Sequence, residues 1–525
     1  MQSHQSNMVH DFSQVPAVDI QRSKFDRSSN YKTTFDVGLL VPFYDDEVLP
    51  GDTFNVHATL FGRLATPLTP FMDNLFLDTF YFFVPARLTW DNWQKFNGEQ
   101  INPGDSTSYL VPKLDKTKAP LNTTGFAAST IYDYVGLPTL ITNIEPNSLL
   151  FRAYNLIYNE WFRDENMQNS LTVPLGDGPD DPALYTLQRR GKRHDYFTSC
   201  LPWPQKGPSV KLPLQGFAPV LQGANPSWLQ STSLTVPAGA PSAAGAVAYT
   251  ASGFTVNGVA ASIYPRNLYA DLSLITAATI NDLRLSVQIQ KIYELDARGG
   301  TRYTEILKAH FGVTSPDGRL QRPEYLGGGT TRINVNPIAQ TSAVPSQPTP
   351  LGNLAAMGTV SSSSGFTKSF TEHGYIIGLV SVRADLSYQQ GLERKWTRRT
   401  RFDFYWPEFA NLGEQAVLNK EIYCKGIAAD EDVFGYQERA AEYRYKQSLI
   451  TGQFRSNFPQ TLDSWHLAQN FTALPTLNST FIVENPPIDR VLAVPTYPDM
   501  LLDVYIKNIT ARPMPMYSVP GLTRF

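Results

Sequence analysis

The sequence predicts a mainly β protein: an antiparallel sandwich carrying large loop insertions, with several helices between its strands. Three observations carry this expectation. Residues Phe54–Leu60 alternate cleanly, with Phe54, Val56, Ala58 and Leu60 on one face and Asn55, His57 and Thr59 on the other. Aromatic residues form 12% of the chain, 26 Tyr and 30 Phe among them, which favours strands and contact surfaces. The 39 prolines and 35 glycines imply many turns and long loops, not a helical bundle.

At 525 residues the chain is long enough to bury a large core. Charged residues are 17%, below the roughly 25% of ordinary soluble domains, which suggests extensive burial within the fold or against other subunits. The formal net charge is −3, so any nucleic-acid contact must come from local patches. Two cysteines, Cys200 and Cys424, cannot build a disulfide framework and read as free buried thiols. The N-terminal residues lack the apolar core of a signal peptide, and no run of about 20 apolar residues would cross a bilayer. The expectation is a soluble protein made inside a cell, with no membrane insertion.

Residues 1–35 are polar, contain Arg22, Lys24, Arg27 and Lys32, and read as an arm that packs late or against a partner. Val37–Val41 is a short apolar run ended by Pro42. Asp45-Asp46-Glu47 and Pro50-Gly51-Asp52 read as turn material. Leu75–Val84 is apolar on both faces, as in a strand covered on both sides by a second sheet or a neighbouring subunit. Residues 97–145 read as a long loop.

Phe151–Gln168 reads as a helix, with Asn147 or Ser148 available to cap its start. Leu150, Tyr154, Ile157, Tyr158 and Trp161 make one apolar face; Arg152, Asn155, Asn159 and Arg163 make a polar stripe. Such a helix, with little purely polar surface, packs on more than one side. A basic run follows: Arg189, Arg190, Lys192, Arg193 and His194. It reads as a solvated loop or, more sharply, as a partner for phosphate or carboxylate.

Residues 215–270 hold almost no charge and are rich in Gly, Ala, Ser, Thr, Pro and Asn. They read as a neutral inserted segment with β-prone pieces such as Ala246–Val256. Helical signal returns with Ile280, Leu283, Val287 and Ile292, stopped by Gly299-Gly300, and again with Ile306, Leu307 and His310. Gly327-Gly328-Gly329 and residues 339–365 read as another polar loop. Ile376–Val382 reads as a strand. A basic stretch follows, Arg394, Lys395, Arg398, Arg399 and Arg401, interleaved with Trp396 and Phe402. Leu502, Val504 and Ile506 alternate in a last strand.

Catalytic signals are weak. None of the seven histidines has metal-ligand spacing with Cys or another His, and no Walker loop or nucleophile elbow is present. The acidic clusters Asp45–Glu47 and Asp430–Asp432 lack the spacing of a calcium loop and read as solvated turns. No cofactor, metal site or catalytic residue is expected. The best nucleic-acid candidates are the two basic segments, where Lys and Arg can neutralise phosphates and rings can stack on bases. They comprise Arg22, Lys24, Arg27 and Lys32, and Arg394, Lys395, Arg398, Arg399 and Arg401.

Several long segments have a recognisable wording: FRAYNLIYNEWFRDENMQ, LFLDTFYFFVPARLTWDNW, YFTSCLPWP, INDLRLSVQIQKIYELDARGGTRYTEILKAHFGV, Phe404-Tyr405-Trp406-Pro407, Phe434–Arg439 and the tail RPMPMYSVPGLTRF. Together they resemble the major capsid protein of small icosahedral single-stranded DNA phages, the gokushovirus branch of the Microviridae. The resemblance covers most of the chain outside 215–270. It implies a single eight-stranded jelly-roll capsid domain over residues 1–525. It also implies a T=1 shell of 60 copies around a circular single-stranded DNA genome, assembled in the bacterial cytoplasm. A small DNA-binding or minor capsid protein is a further implied partner. By position, 215–270 corresponds to the protrusion at the threefold axes, expected to meet a host receptor or glycan through Trp228, Tyr249, Phe254 and Tyr264. A second reading, from another class, is a carbohydrate-active β-sandwich, either glycosidase or lectin.

Overall fold

The computed structural model describes residues 21–210, 280–299, 303–311, 320–341 and 352–517, with seven short strand segments between 220 and 270. Two compact units are present. The first holds the described residues up to Pro204 and those after Gly299; the second is Gln205–Gly299.

The first unit is built on one antiparallel sheet. Its strands are β1 (Ser23–Asp26), β2 (Ser29–Phe35), β3 (Val41–Val48), β4 (Thr53–Leu64), β5 (Leu75–Pro85), β6 (Glu324–Ala339), β7 (Leu354–Ser369), β8 (Gly374–Ala384) and β9 (Met500–Arg512). The spatial order is β1-β9-β4-β7-β6-β5-β8-β3, with β2 following β1 along the same edge of β9. The sheet curls until its ends meet. Asn508 of β9 donates to the Tyr44 hydroxyl of β3 at 3.0 Å, and Arg27 pairs with Asp46 of β3 at 2.6 Å. This is the mainly β, sandwich-like architecture the sequence predicts.

Alternation explains the core. In β4 the even positions from Phe54 to Leu64 are all buried, Gly62 among them, and the odd positions from Asn55 to Arg63 face out. Phe43, Phe54, Leu60, Tyr81, Ile376 and Val504 meet in one cluster drawn from both halves of the curled sheet. Each such side chain contributes roughly 1.5–3 kcal/mol by leaving water.

The doubly apolar Leu75–Val84 is indeed covered twice, and the second cover comes from the same chain. Phe82 and Val84 of β5, with Ile377 and Leu379 of β8, pack against Phe151, Tyr154 and Ile157 of helix α1 (Leu149–Ile157). Asn147 Oδ1 accepts from the Leu149 amide at the helix start. The helix is shorter than the periodicity predicts. It passes into a π turn over Tyr158–Phe162, and Arg163 is extended. The predicted polar stripe is not solvated. Arg152 and Asn155 are fully buried and Asn159 nearly so, because each finds a partner inside. Arg152 binds Asp180, Asn155 donates to the Thr172 and Leu184 carbonyls, and Asn159 exchanges hydrogen bonds with Leu171. Trp161, placed by spacing on the apolar face, is 42% exposed, since the π turn breaks the periodicity before it.

Other expectations are corrected. Asp45-Asp46-Glu47 lies in β3, not in a turn; Asp46 is held there by Arg27 and Arg512. Pro42 does not end a strand, because β3 is an edge strand and tolerates it. Gly327–Gly329 lies in β6, and much of the predicted polar loop 339–365 is β7. There the inward serines are satisfied: Ser364 bonds the Thr79 and Tyr81 hydroxyls, and Ser362 bonds Thr331. Residues 23–35 of the predicted arm form β1 and β2; residues 1–20 lie outside the described residues. Cys200 is buried, but Cys424 is exposed. Asp430 is buried, accepting from the Lys425 and Gly426 amides in place of water.

In the second unit the strand pairing is nested. Val220–Gln222 pairs with Leu268–Ala270 and Trp228–Gln230 with Ile263–Pro265. Within them, Val247–Thr250, Gly253–Val256 and Val259–Ala260 form a three-stranded meander. Helix Ile280–Arg298 follows, as its spacing predicts.

Candidate nucleic-acid interface

The segment 393–412 leaves β8 and crosses the surface as three short 3-10 turns. The turn at Arg401–Asp403 is fixed by Asp403, whose carboxylate accepts from the Thr400 and Arg399 amides. Those bonds hold its carboxyl below the usual range. They also fix the backbone from which Arg399 and Arg401 project, and both are exposed.

The five basic residues of this segment divide into two sets. Arg394 donates to the Ala416 carbonyl at 2.9 Å and lies 3.3 Å from Glu421. Burial pushes the Glu421 carboxyl up, and Arg394 opposes that shift. Arg398 pairs with Glu442 at 3.0 Å and stands 4.3 Å from the Tyr443 ring centre. These two guanidiniums hold the segment to the body. Lys395, Arg399 and Arg401 are the exposed set, with Lys395 beside Glu393 and over Trp396, and Arg401 over Phe402. Around them Trp396, Phe402, Phe404, Tyr405, Trp406 and Tyr443 are all exposed. Cations and free ring faces side by side can neutralise phosphates and stack bases.

The other basic set is spread along the sheet edge. Arg22 donates to the Gly51 carbonyl and Thr53 hydroxyl, and Arg27 is bidentate on Asp46. Lys24 is exposed on β1, and Lys32 makes an exposed pair with Asp503 at 2.9 Å. Arg22 and Arg27 thus secure the edge, while Lys24 and Lys32 are presented outward. Sequence reasoning missed the partners Glu421 and Glu442 and the ring of Tyr443; all three are remote in sequence, and no local pattern marks them.

Of the four aromatic residues singled out in the insertion, Tyr249 and Phe254 are direct partners across the meander. Trp228 and Tyr264 lie in the pair outside it, where Tyr264 faces Leu229 in register.

A curled sandwich bearing long ordered loops, with charge partitioned into anchoring and outward-facing sets, has the make-up of a structural, surface-building protein. The chain belongs to the phage capsid protein (F protein) family, whose model matches residues 13–522. It is 51% identical to capsid protein VP1 of Bdellovibrio phage phiMH2K, over 98% of this chain and 97% of that one. Identity to capsid protein VP1 of Chlamydia phage 1 is 46%, over 99% and 98% of the two chains. For capsid protein VP1 of Spiroplasma virus 4 it is 38%, over 98% of each. The protein is therefore a major capsid protein of the microvirid phages, a structural component that self-assembles into the virion shell, and not an enzyme. Among the described residues, no helix is long and apolar enough to cross a membrane.

Proposed function

We propose that copies of this chain form a T=1 icosahedral shell of 60 subunits around a circular single-stranded DNA genome, assembled in the bacterial cytoplasm. The observation that supports this most is the match to phage capsid proteins along nearly the whole chain. In this reading Lys395, Arg399 and Arg401, with Lys24 and Lys32, face the genome. Arg22, Arg27, Arg394 and Arg398 hold the segments that carry them. A small basic protein packaged with the DNA would supply charge that a chain of net −3 does not. Domain organisation follows the same reading: one jelly-roll capsid domain over 1–525, an arm at 1–35, and a surface subdomain at 215–270.

The inserted segment projects from the shell and recognises a receptor or glycan on the host. Its support is its neutrality and its nested strand pairs, which form a unit of their own. Trp228, Tyr249, Phe254 and Tyr264 are its contact residues in this reading.

Electron microscopy of the purified chain at low and high salt tests the shell. Uniform small icosahedral particles are expected; a monomer under every condition would overturn the reading. Removing residues 217–265 tests the insertion. Particles that assemble but no longer adsorb to host cells are expected, and normal adsorption would sink the attachment role.

A further inference from the structure

A second concave site lies away from the 393–412 segment. It is a cavity of about 330 Å³ between β5, the π turn after α1, the start of β6 and the basic run at 190–194. Two backbone irregularities converge on it. The π turn carries Trp161 and Phe162 away from the buried stripe of α1. A β-bulge between Tyr325 and Gly327 interrupts the pairing of β6 with β5 beside Tyr325. Irregularities of both kinds re-aim side chains and are common at functional sites.

The walls combine rings with cations. Phe82, Trp161 and Tyr325 form a triangle with ring centres 5.5–6.0 Å apart. Trp161 is fixed by its indole N–H, which donates to the Pro323 carbonyl at 2.9 Å, yet it is 42% exposed and Tyr325 43%. Arg190, Lys192, His194 and Arg383 line the same cavity, with Arg190 4.6 Å from the Phe80 ring centre. Arg190 and Arg383 share one carboxylate, Asp78. Lys192 forms no ion pair among the described residues and lies 4.4 Å from the Phe481 ring centre. Three cations thus line the cavity, and Asp78, Glu484 and Asp195 are the carboxylates that act on them. Burial, with Arg383 beside it, pushes Arg190 down to about 10, and burial lowers Lys192 as well.

We propose that this cavity binds one nucleotide of single-stranded DNA, its base stacked on Trp161 and Tyr325 and its phosphate on Lys192 and Arg190. The proposal rests on the reading that the shell encloses such a genome. A protein carboxylate would engage the cations but leave the exposed part of the Trp161 and Tyr325 rings unused; a nucleotide uses both, and base stacking tolerates any sequence.

The test irradiates intact, DNA-containing particles with ultraviolet light and maps nucleotide adducts by mass spectrometry. Adducts are expected on the peptides carrying Trp161 or Tyr325. Their yield should fall about ten-fold in Lys192→Gln particles and in Tyr325→Leu particles. Protected DNA in particles that give no adduct on either peptide would overturn the pocket and leave the genome reading intact. So would chemical cross-links joining Lys192 to a neighbouring subunit in place of those adducts. Particles with no nuclease-protected DNA would overturn the genome reading itself, and the pocket with it.

Discussion

Arg152 and Asp180 form a fully enclosed bidentate ion pair. Nε and Nη2 of Arg152 each donate to one Asp180 oxygen at 2.7 Å, with the side chains 0% and 2% exposed. Arg152 Nη1 also donates to the Thr89 carbonyl, and the Tyr185 hydroxyl donates to Asp180. Burial works to raise the Asp180 carboxyl, but the bonds from Arg152 and Tyr185 outweigh it and hold it below the usual range. The pair ties α1 to the loop after β5 and to the segment before the basic run.

Breaking that pair from one side should be costly. Arg152→Met leaves Asp180 buried without its cation, for an expected loss of about 3–5 kcal/mol. The double variant Arg152→Met/Asp180→Leu removes both charges and should recover part of it. Urea unfolding of the purified chain measures both. Equal loss in the single and double variants would show that the Arg152 stem, not its charge, matters.

Asp499 gives a pH dependence. It lies just before β9 and accepts from the Val37 amide at 2.8 Å. Burial, with Asp36 and Asp489 nearby, raises its carboxyl from 3.8 to about 6, although the Val37 bond and Arg189 oppose the shift. The folded chain thus holds this proton more tightly than the unfolded one. Its contribution is fully present below about pH 4 and is lost as pH rises through 6, on the order of 1–3 kcal/mol. Asp499→Asn should abolish that loss and stabilise the chain at pH 8 relative to wild type. Melting temperatures at pH 4, 6 and 8 read it directly; parallel curves for both proteins would refute it.

Gly328 marks a close approach between strands. A Cβ there would collide with the Thr79 carbonyl of β5, whereas one at Gly329 would meet Ser364 Cβ at an ordinary 3.5 Å. Gly328→Ala should therefore cost about 1–3 kcal/mol by forcing β6 off β5, and Gly329→Ala much less. Thermal unfolding of the two variants side by side tests the difference in direction as well as size.

How far these features could be read in advance depends on how local their causes are. The alternation of Phe54–Leu60 and of Leu502–Ile506 is a property of neighbouring residues, and both became strands of the main sheet. Gly327–Gly329 and the serines of β7 read as loop because their composition is loop-like. They are strands because partners hundreds of residues away need small side chains or offer hydroxyls. Helical spacing puts Arg152, Asn155 and Asn159 on one stripe. The stripe was buried because Asp180, Leu184 and Leu171 return over it, which no periodicity reveals. The same holds for the basic segment at 394–401. Its cations are plain in the sequence, but Glu421 and Glu442 decide which of them face outward.

That division separates DNA contact from anchoring. Lys395, Arg399 and Arg401 are exposed cations among exposed rings, while Arg394 and Arg398 neutralise partly buried carboxylates. Changing the first three to Gln should leave unfolding nearly unchanged but weaken single-stranded DNA binding. Each lost phosphate contact should reduce the slope of log affinity against log salt by about 0.7, or about 2 for all three. Arg394→Gln or Arg398→Gln should do the reverse, lowering stability by about 2–4 kcal/mol because Glu421 or Glu442 loses its partner. Oligonucleotide titrations across a salt series, paired with unfolding curves, separate the two sets. If the triple variant kept the wild-type salt slope, DNA would have to be held elsewhere, and the genome-facing role of this segment would fall. If the Arg398 variant kept its stability but lost DNA binding, the assignment of anchoring and contacting residues would be reversed.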